Sequence, residues 1–352
     1  MKRPPIIQVF FFFIISSQVL LCQTKDNEVS KKYQNAINLM DNGKIDESIS
    51  ALNEAISQYP KMYDFRYELA YAYYLKEDYK QTIAILNKLK KHKDVTDRLF
   101  QLMGNSFDVI GDSINALKTY DFGLKRFPNS GKLYLEKGNV FLNNKNYHKA
   151  LNFYEMGIKM DPKFSSNYYR ATLIYCRSTE EVWGMIYGEI FMNLERNSKR
   201  TVEISKLLYD TYKSQIHFAS DTSFSVSFSQ NANISINNTS DPIQLPFGVG
   251  AYEPTLGLSI LGEKNIDIAS LNRIRTNFLK LYFEKQFNTK YPYGLFDFQN
   301  DIKNAGHFEA YNYWILMKGD EDGFSKWISD NKDKWDAFVA WFTQYKINDR
   351  LK

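Results

Sequence analysis

Four histidines, His92, His148, His217 and His307, are all this chain offers for acid–base or metal work near neutral pH. His92 and His148 stand beside Lys91, Lys93 and Lys149 and read as solvated surface side chains. No His-Glu-x-x-His run or paired-cysteine spacing suggests zinc. No Gly-x-Ser-x-Gly elbow is present for a nucleophilic serine. Gly248-Val249-Gly250 lacks the third glycine and the strand-to-helix setting of a dinucleotide fingerprint. Asp320-Glu321-Asp322-Gly323 lacks the distal glutamate of a calcium loop and reads as a helix start. His307 and Glu309 read as a capping or core pair, and Cys176, next to Leu173, Ile174 and Tyr175, as a small buried hydrophobe. Residue chemistry thus predicts no enzyme, no metal site and no cofactor. What remains is recognition: Tyr67, Tyr71 and Tyr74 recur at helical spacing and form either an aromatic binding stripe or a packing face.

The elements that position these residues follow from composition and patterning. The 352 residues suffice for two domains, or for a solenoid with a globular extension. All five tryptophans (Trp183, Trp314, Trp327, Trp335, Trp341) fall in the second half, so the halves differ. Lys2 and Arg3 precede an apolar run from Ile6 to Ile15 that is too short to span a bilayer, and polar Gln23, Lys25 and Asp26 soon follow. Residues 1–22 therefore read as a signal peptide, which places the mature chain outside the cytoplasm: periplasmic, outer-membrane-associated or secreted, at a bacterial envelope. Leu21 is not the small residue that a lipoprotein leader sets before its cysteine, so membrane association would follow only from lipidation of Cys22. The net charge of +5 includes Lys2 and Arg3. The remaining +3 does not point to nucleic acid or an anionic membrane surface.

Self-comparison carries the strongest signal. Pro60, Pro128 and Pro162 are spaced 68 and 34 apart, and starts at Val29, Tyr63, Asp97 and Gly131 bring four units into register. A small residue recurs at Ala36, Ala70, Gly104 and Gly138, with a larger one three further on at Leu39, Tyr73, Phe107 and Phe141. Ser48, Thr82, Ala116 and Ala150 then precede Leu52, Leu86, Tyr120 and Tyr154 by four. Small residues let paired helices approach, large ones fill the space between units, and proline closes the second helix.

This pattern resembles the tetratricopeptide repeat. The resemblance covers residues 29–164, as units 29–62, 63–96, 97–130 and 131–164, with a degenerate fifth at 165–198. It implies a solenoid of helical hairpins whose first helices line a concave binding surface, and a protein or peptide segment as partner. Candidate contacts on that surface are Tyr67, Tyr71 and Tyr74, then Asn105 and Asn139 at the ninth position of their units, and Arg170 in the fifth. Some co-chaperones of this type hold a peptide's terminal carboxylate with two such asparagines, lysines and an arginine. Here Gln101 and Ser166 stand where the lysines would be, so most charge-assisted contacts are missing.

The fold expected is mostly α: a repeat solenoid followed, at 199–352, by a mainly helical region with a small β element near 222–236. Arg200–Phe218 reads as one helix, and the alternation of Phe224, Val226 and Phe228 with serines reads as a strand, paired with Ile234 and Ile236. The function expected is a non-enzymatic scaffold or adaptor acting through the concave surface. The alternatives are an enzyme in the C-terminal region, which predicts a deep pocket with converging ionisable groups, and a purely structural envelope-assembly protein.

Overall fold

A computed structural model describes residues 27–220, 223–233, 244–347 and Arg350. The leader read at 1–22, Cys22 and the Ile234/Ile236 strand lie outside the described residues. Two compact units divide between Pro128 and Asn129.

The first unit consists of three helical hairpins: α1 (27–41) with α2 (Ile45–Gln58), α3 (Tyr63–Leu75) with α4 (Tyr79–Leu89), and α5 (Asp97–Val109) with α6 (Ser113–Arg126). The second begins with two more, α7 (Gly131–Asn143) with α8 (Tyr147–Met160) and α9 (Ser165–Tyr175) with α10 (Glu181–Leu194). Four of the five build their hairpin turn the same way. The second residue after the first helix is left-handed at Gly43, Glu77, Gly111 and Lys145, one period apart, with φ of 73°, 63°, 82° and 57°. The next backbone N–H then reaches back to Leu39, Tyr73, Phe107 or Phe141, closing the helix end. Asp78, Asp112 and Asn146 follow as N-caps of the second helices, accepting from the N–H of Gln81, Asn115 and Lys149 at 3.0–3.1 Å.

Glu77 and Lys145 occupy a conformation in which their side chains gain nothing. Because Lys145 is exposed, Lys145→Gly is expected to stabilise the second unit by about 0.5–1 kcal/mol through relief of left-handed strain. The check is a higher denaturant midpoint followed by tryptophan fluorescence, which reports this unit alone because all five tryptophans lie in it.

Packing between paired helices follows a size rule. The small position of the first helix faces the large position of the second, and the two compensate: Ala36 with Leu52, Ala70 with Leu86, Gly104 with Tyr120, Gly138 with Tyr154, all buried. A Cβ on Gly104 would stand 2.1 Å from Tyr120 Cε1, and one on Gly138 2.2 Å from Tyr154 Cε1. In the first two repeats a hydroxyl completes the joint: Ser48 donates to the Ala36 carbonyl at 2.9 Å and Thr82 to that of Ala70 at 3.2 Å.

Beyond α10 the second unit continues with α11 (Lys199–Gln215), β1 (Ile216–Ser220), β2 (Ser223–Val226), a π-helical turn (Gly248–Tyr252) and α12 (Glu253–Ile260). Then come α13 (Ile268–Glu284), α14 (Phe287–Lys290), α15 (Gly294–Asn304), α16 (Phe308–Leu316), α17 (Glu321–Asp330) and α18 (Lys332–Gln344). The β element differs from expectation. The helix read through Phe218 stops at Gln215, and Ile216–Ser220 turns to an antiparallel strand against β2, with Ile216 opposite Val226 and Phe218 opposite Phe224. Helical and strand periodicity coincide over so short a stretch, and cross-strand pairing of Phe218 with Phe224, rings 6.4 Å apart, favours the strand. Asp320 does cap a helix, accepting from the Gly323 N–H at 3.0 Å. Among the described residues no helix is long and apolar enough to cross a membrane.

The core of this unit is aromatic. Phe247 alone touches the rings of Trp183, Tyr252, Tyr291, Tyr293 and Phe296 at 4.8–6.1 Å. Around it the region after α11 packs directly onto α10, so the fifth repeat and the C-terminal helices share one apolar cluster.

Candidate partner-binding surfaces

In the first unit the tyrosine stripe divides. Tyr67 is 8 % exposed, stacks on Tyr63 with ring centres 6.0 Å apart and lies under the Arg98 guanidinium at 5.4 Å. Burial pushes its hydroxyl pKa up to about 12. It packs inside the unit. Tyr71, 37 % exposed, stacks on Tyr74 at 6.5 Å, and Tyr74 meets Tyr79 edge-on at 5.4 Å. These rings form a surface ledge able to take an apolar or cationic group.

The two asparagines serve the hairpins. Asn105 Oδ1 accepts from the Tyr120 hydroxyl at 2.6 Å, and Asn139 Oδ1 from that of Tyr154 at 3.0 Å. Asn139 Nδ2 also donates to Glu136 at 3.0 Å. The residue next to the small glycine thus satisfies the hydroxyl of the ring that glycine admits. In the first two repeats leucine replaces tyrosine, and the ninth residue is Ile37 or Tyr71. One lone pair of each amide oxygen is thus engaged by the fold, which ties both asparagines to their hairpins.

Arg170, in the second unit, lines a groove of 540 Å³ together with Leu142, Tyr147, Leu173, Ile174 and Arg177. Its charge also acts on the Tyr154 hydroxyl, where burial, the larger cause, raises the pKa. Neither arginine pairs with a carboxylate among the described residues. Arg177 only donates to the Leu173 carbonyl, at 3.4 Å. Sequence reasoning missed Arg177 and Tyr147. The signal available was that Arg170, Leu173, Ile174 and Arg177 recur at helical spacing along α9 and the turn that ends it.

Converging ionisable groups do occur in the second unit, but they are sealed. The Glu189 carboxylate on α10 accepts from Arg275 on α13 at 2.8 and 2.9 Å, Gln299 on α15 at 2.6 Å and Tyr311 on α16 at 2.8 Å. Arg275 also donates to Asn312 at 2.8 Å and to the Tyr212 hydroxyl at 3.3 Å. Glu189 and Arg275 side chains are 4 % and 7 % exposed. Burial, the largest single influence, works against the Arg275 charge, but Glu189 together with Tyr212 and Tyr311 outweighs it and holds the pKa above its ordinary value. The adjoining cavity measures 20 Å³, room for about one water and for no substrate. Glu180 and Glu253 are likewise consumed by backbone. Glu180 accepts the N–H of Gln230 and Asn231 at 2.8 and 2.7 Å, and Glu253 those of Phe228 and Ser229 at 2.5 and 2.8 Å. Burial pushes the Cys176 thiol up to about 12, which suits a packed side chain rather than a nucleophile. No group of three or more His, Cys, Asp or Glu residues stands ready for a metal ion among the described residues.

The tetratricopeptide-repeat family matches the chain over residues 39–105 and again over 131–164. No curated protein matches the sequence. Similar solved structures include MamA from Desulfovibrio magneticus, 16 % identical over 49 % of this chain and 97 % of that one, with a TM-score of 0.38. A thermophilic TPR protein in Thermus thermophilus is 11 % identical over 51 % and 98 %, TM-score 0.42. Pseudomonas aeruginosa pilF is 14 % identical over 54 % and 86 %, TM-score 0.45. With the period, the hairpin turns, the size rule between paired helices and the family match in agreement, the chain carries tetratricopeptide repeats.

Proposed function

We propose that the protein is a non-enzymatic scaffold acting outside the cytoplasm, holding a protein segment on the first-helix faces of its repeats. The tetratricopeptide fold supports a role in protein interaction in general. The observation that carries the finer reading is the groove at Arg170 and Arg177, where two arginines without carboxylate partners among the described residues share the lining with Leu142, Leu173 and Ile174. Such a surface suits a peptide that pairs an acidic group with an apolar side chain, whereas the Glu189–Arg275 cluster has its carboxylate fully engaged and no room for a substrate. The Tyr71/Tyr74 ledge of the first unit adds a further apolar contact.

Photocrosslinking from the groove in an envelope fraction of the native host tests this. Wild type is expected to capture a discrete protein, and Arg170→Glu to reduce capture about tenfold or more through charge reversal, with an unchanged thermal transition. Tyr71→Ala, at an exposed ring, is expected to weaken capture less. Equal capture by wild type and Arg170→Glu would remove the groove from the function. Recovery of the full-length chain only from the cytosol would remove the extracytoplasmic part.

A further inference from the structure

The second helices of the first four repeats begin with Ile45, Tyr79, Ser113 and Tyr147. Tyr79 and Tyr147 stand on the same local backbone. Each follows a left-handed residue, Glu77 or Lys145, and then a cap, Asp78 or Asn146. Five positions earlier, near the end of the first helix, the second repeat carries Tyr74 and the fourth carries Leu142.

In the second repeat these rings close on one another. Tyr74 meets Tyr79 edge-on at 5.4 Å, with ring planes 74° apart, and Tyr71 stacks on Tyr74. The fourth repeat leaves the equivalent ring open. Leu142 stands in the place of Tyr74, and Asn139 in that of Tyr71, bonded to Tyr154 and Glu136. Tyr147 is 54 % exposed, and no ring or cation of the described residues pairs with it. Nearby Lys149 lies over Phe141 instead, at 5.4 Å. Leucine has no ring to set against Tyr147, so the fourth repeat keeps a seat where the second holds an aromatic pair.

Tyr147 and Leu142 both line the α9 groove, with Leu173, Ile174, Arg170 and Arg177. All six are half-buried or exposed, which puts them within reach of an occupant. None of the lining residues is acidic, and neither arginine pairs with a carboxylate among the described residues. Two guanidinium groups disfavour a cation, the other common occupant of a tyrosine face, and favour a carboxylate.

We propose that this groove seats an aromatic side chain of a partner peptide against Tyr147 and Leu142, with an adjoining Asp or Glu carboxylate on Arg170 and Arg177. The inference rests on the reading of the groove as a site for an acidic and apolar segment, and it names the apolar group. Tyr147 is then a specificity residue, and the Tyr74–Tyr79 pair shows the contact that the partner completes.

The experiment titrates the full chain, by calorimetry, with acetylated and amidated heptapeptides of Gly and Ser around a central Glu-Phe-Glu, Glu-Leu-Glu or Gln-Phe-Gln. The symmetric centre makes chain direction immaterial. Saturable binding of the Glu-Phe-Glu peptide is expected, about threefold to tenfold tighter than the Glu-Leu-Glu peptide. It should also bind about tenfold or more tighter than the Gln-Phe-Gln peptide. Tyr147→Ser copies the third repeat at an exposed position and should melt as wild type does. It is expected to bring the Glu-Phe-Glu peptide down to the level of Glu-Leu-Glu and to leave the latter within about twofold. Leu142→Tyr recreates Tyr74 and should fill the seat from within, weakening the Glu-Phe-Glu peptide about threefold or more. Equal affinity for the Phe and Leu peptides, or an aromatic preference that survives Tyr147→Ser, would overturn the aromatic seat and leave the acidic and apolar reading standing. Phenylacetate binding as tightly as the Glu-Phe-Glu peptide would also overturn it, by giving the seat to a small aromatic acid. Equal affinity for the Glu and Gln peptides, or no binding of any peptide up to about 1 mM, would remove both readings.

Discussion

Glu189→Ala is expected to destabilise the second unit more than any other single substitution considered for this protein. The carboxylate receives four hydrogen bonds from three helices, α13, α15 and α16. Removing it leaves the Arg275 guanidinium buried with only Asn312 and Tyr212 as neighbours to accept from it. Breaking one side of a buried pair costs about 3–5 kcal/mol, because the remaining charge keeps its desolvation penalty and loses its partner. For a unit of this size that corresponds to a fall in Tm of roughly 6–20 °C. Tryptophan fluorescence during thermal or urea unfolding reads it out. The double variant Glu189→Leu/Arg275→Met removes both charges and is expected to recover much of the loss, since a matched apolar pair has no charge to desolvate. If Glu189→Ala melts within about 2 °C of wild type, the network does not hold α10 to the helices that follow it.

Gly138→Ala, like the equivalent Gly104→Ala, should be strongly damaging within the repeats, although alanine is the better helix former by about 1 kcal/mol. The added Cβ would stand 2.2, 2.6 and 2.9 Å from three atoms of the Tyr154 ring. That ring is fully buried and its hydroxyl is held by Asn139, so it cannot swing aside without losing the bond. A net loss of about 2–3 kcal/mol is expected from overpacking. The diagnostic experiment adds Tyr154→Leu, which recreates the Ala–Leu pairing of the first two repeats. Gly138→Ala/Tyr154→Leu should be more stable than the sum of its single changes by about 1–3 kcal/mol. Simple additivity would show that glycine and tyrosine do not compensate one another.

These two sites differ in how far they could be read from the residue order. Gly138 and Tyr154 are 16 positions apart inside one repeat, and the same pairing recurs at Gly104 and Tyr120. Recurrence turns a packing contact into a visible pattern, so the hairpins, their order and their tight joints were legible. The asparagines were legible as positions only. Their role depends on a hydroxyl placed by the opposite helix, and once Tyr120 and Tyr154 are seen bonding to them, service to the fold is explanation enough. Tyr67 and Tyr71 show the same limit. Four residues apart on α3 they look equivalent, yet one packs against Tyr63 and Arg98 and the other stays at the surface.

Outside the repeats there is no recurrence to read. Glu189 meets Arg275 across 86 residues, and Arg196 reaches the Phe342 and Tyr345 carbonyls across 146 and 149. Each of these residues alone looks like an ordinary surface charge. The strand at Ile216–Ser220 carries apolar spacing that fits a helix as well, and its cross-strand partner decides between them. Local contacts, propensity and turn chemistry act within one period and leave their mark on the residue order. The buried ion pair and the Arg196 contacts arise where distant segments exclude water from one another, a condition met only after the chain has packed.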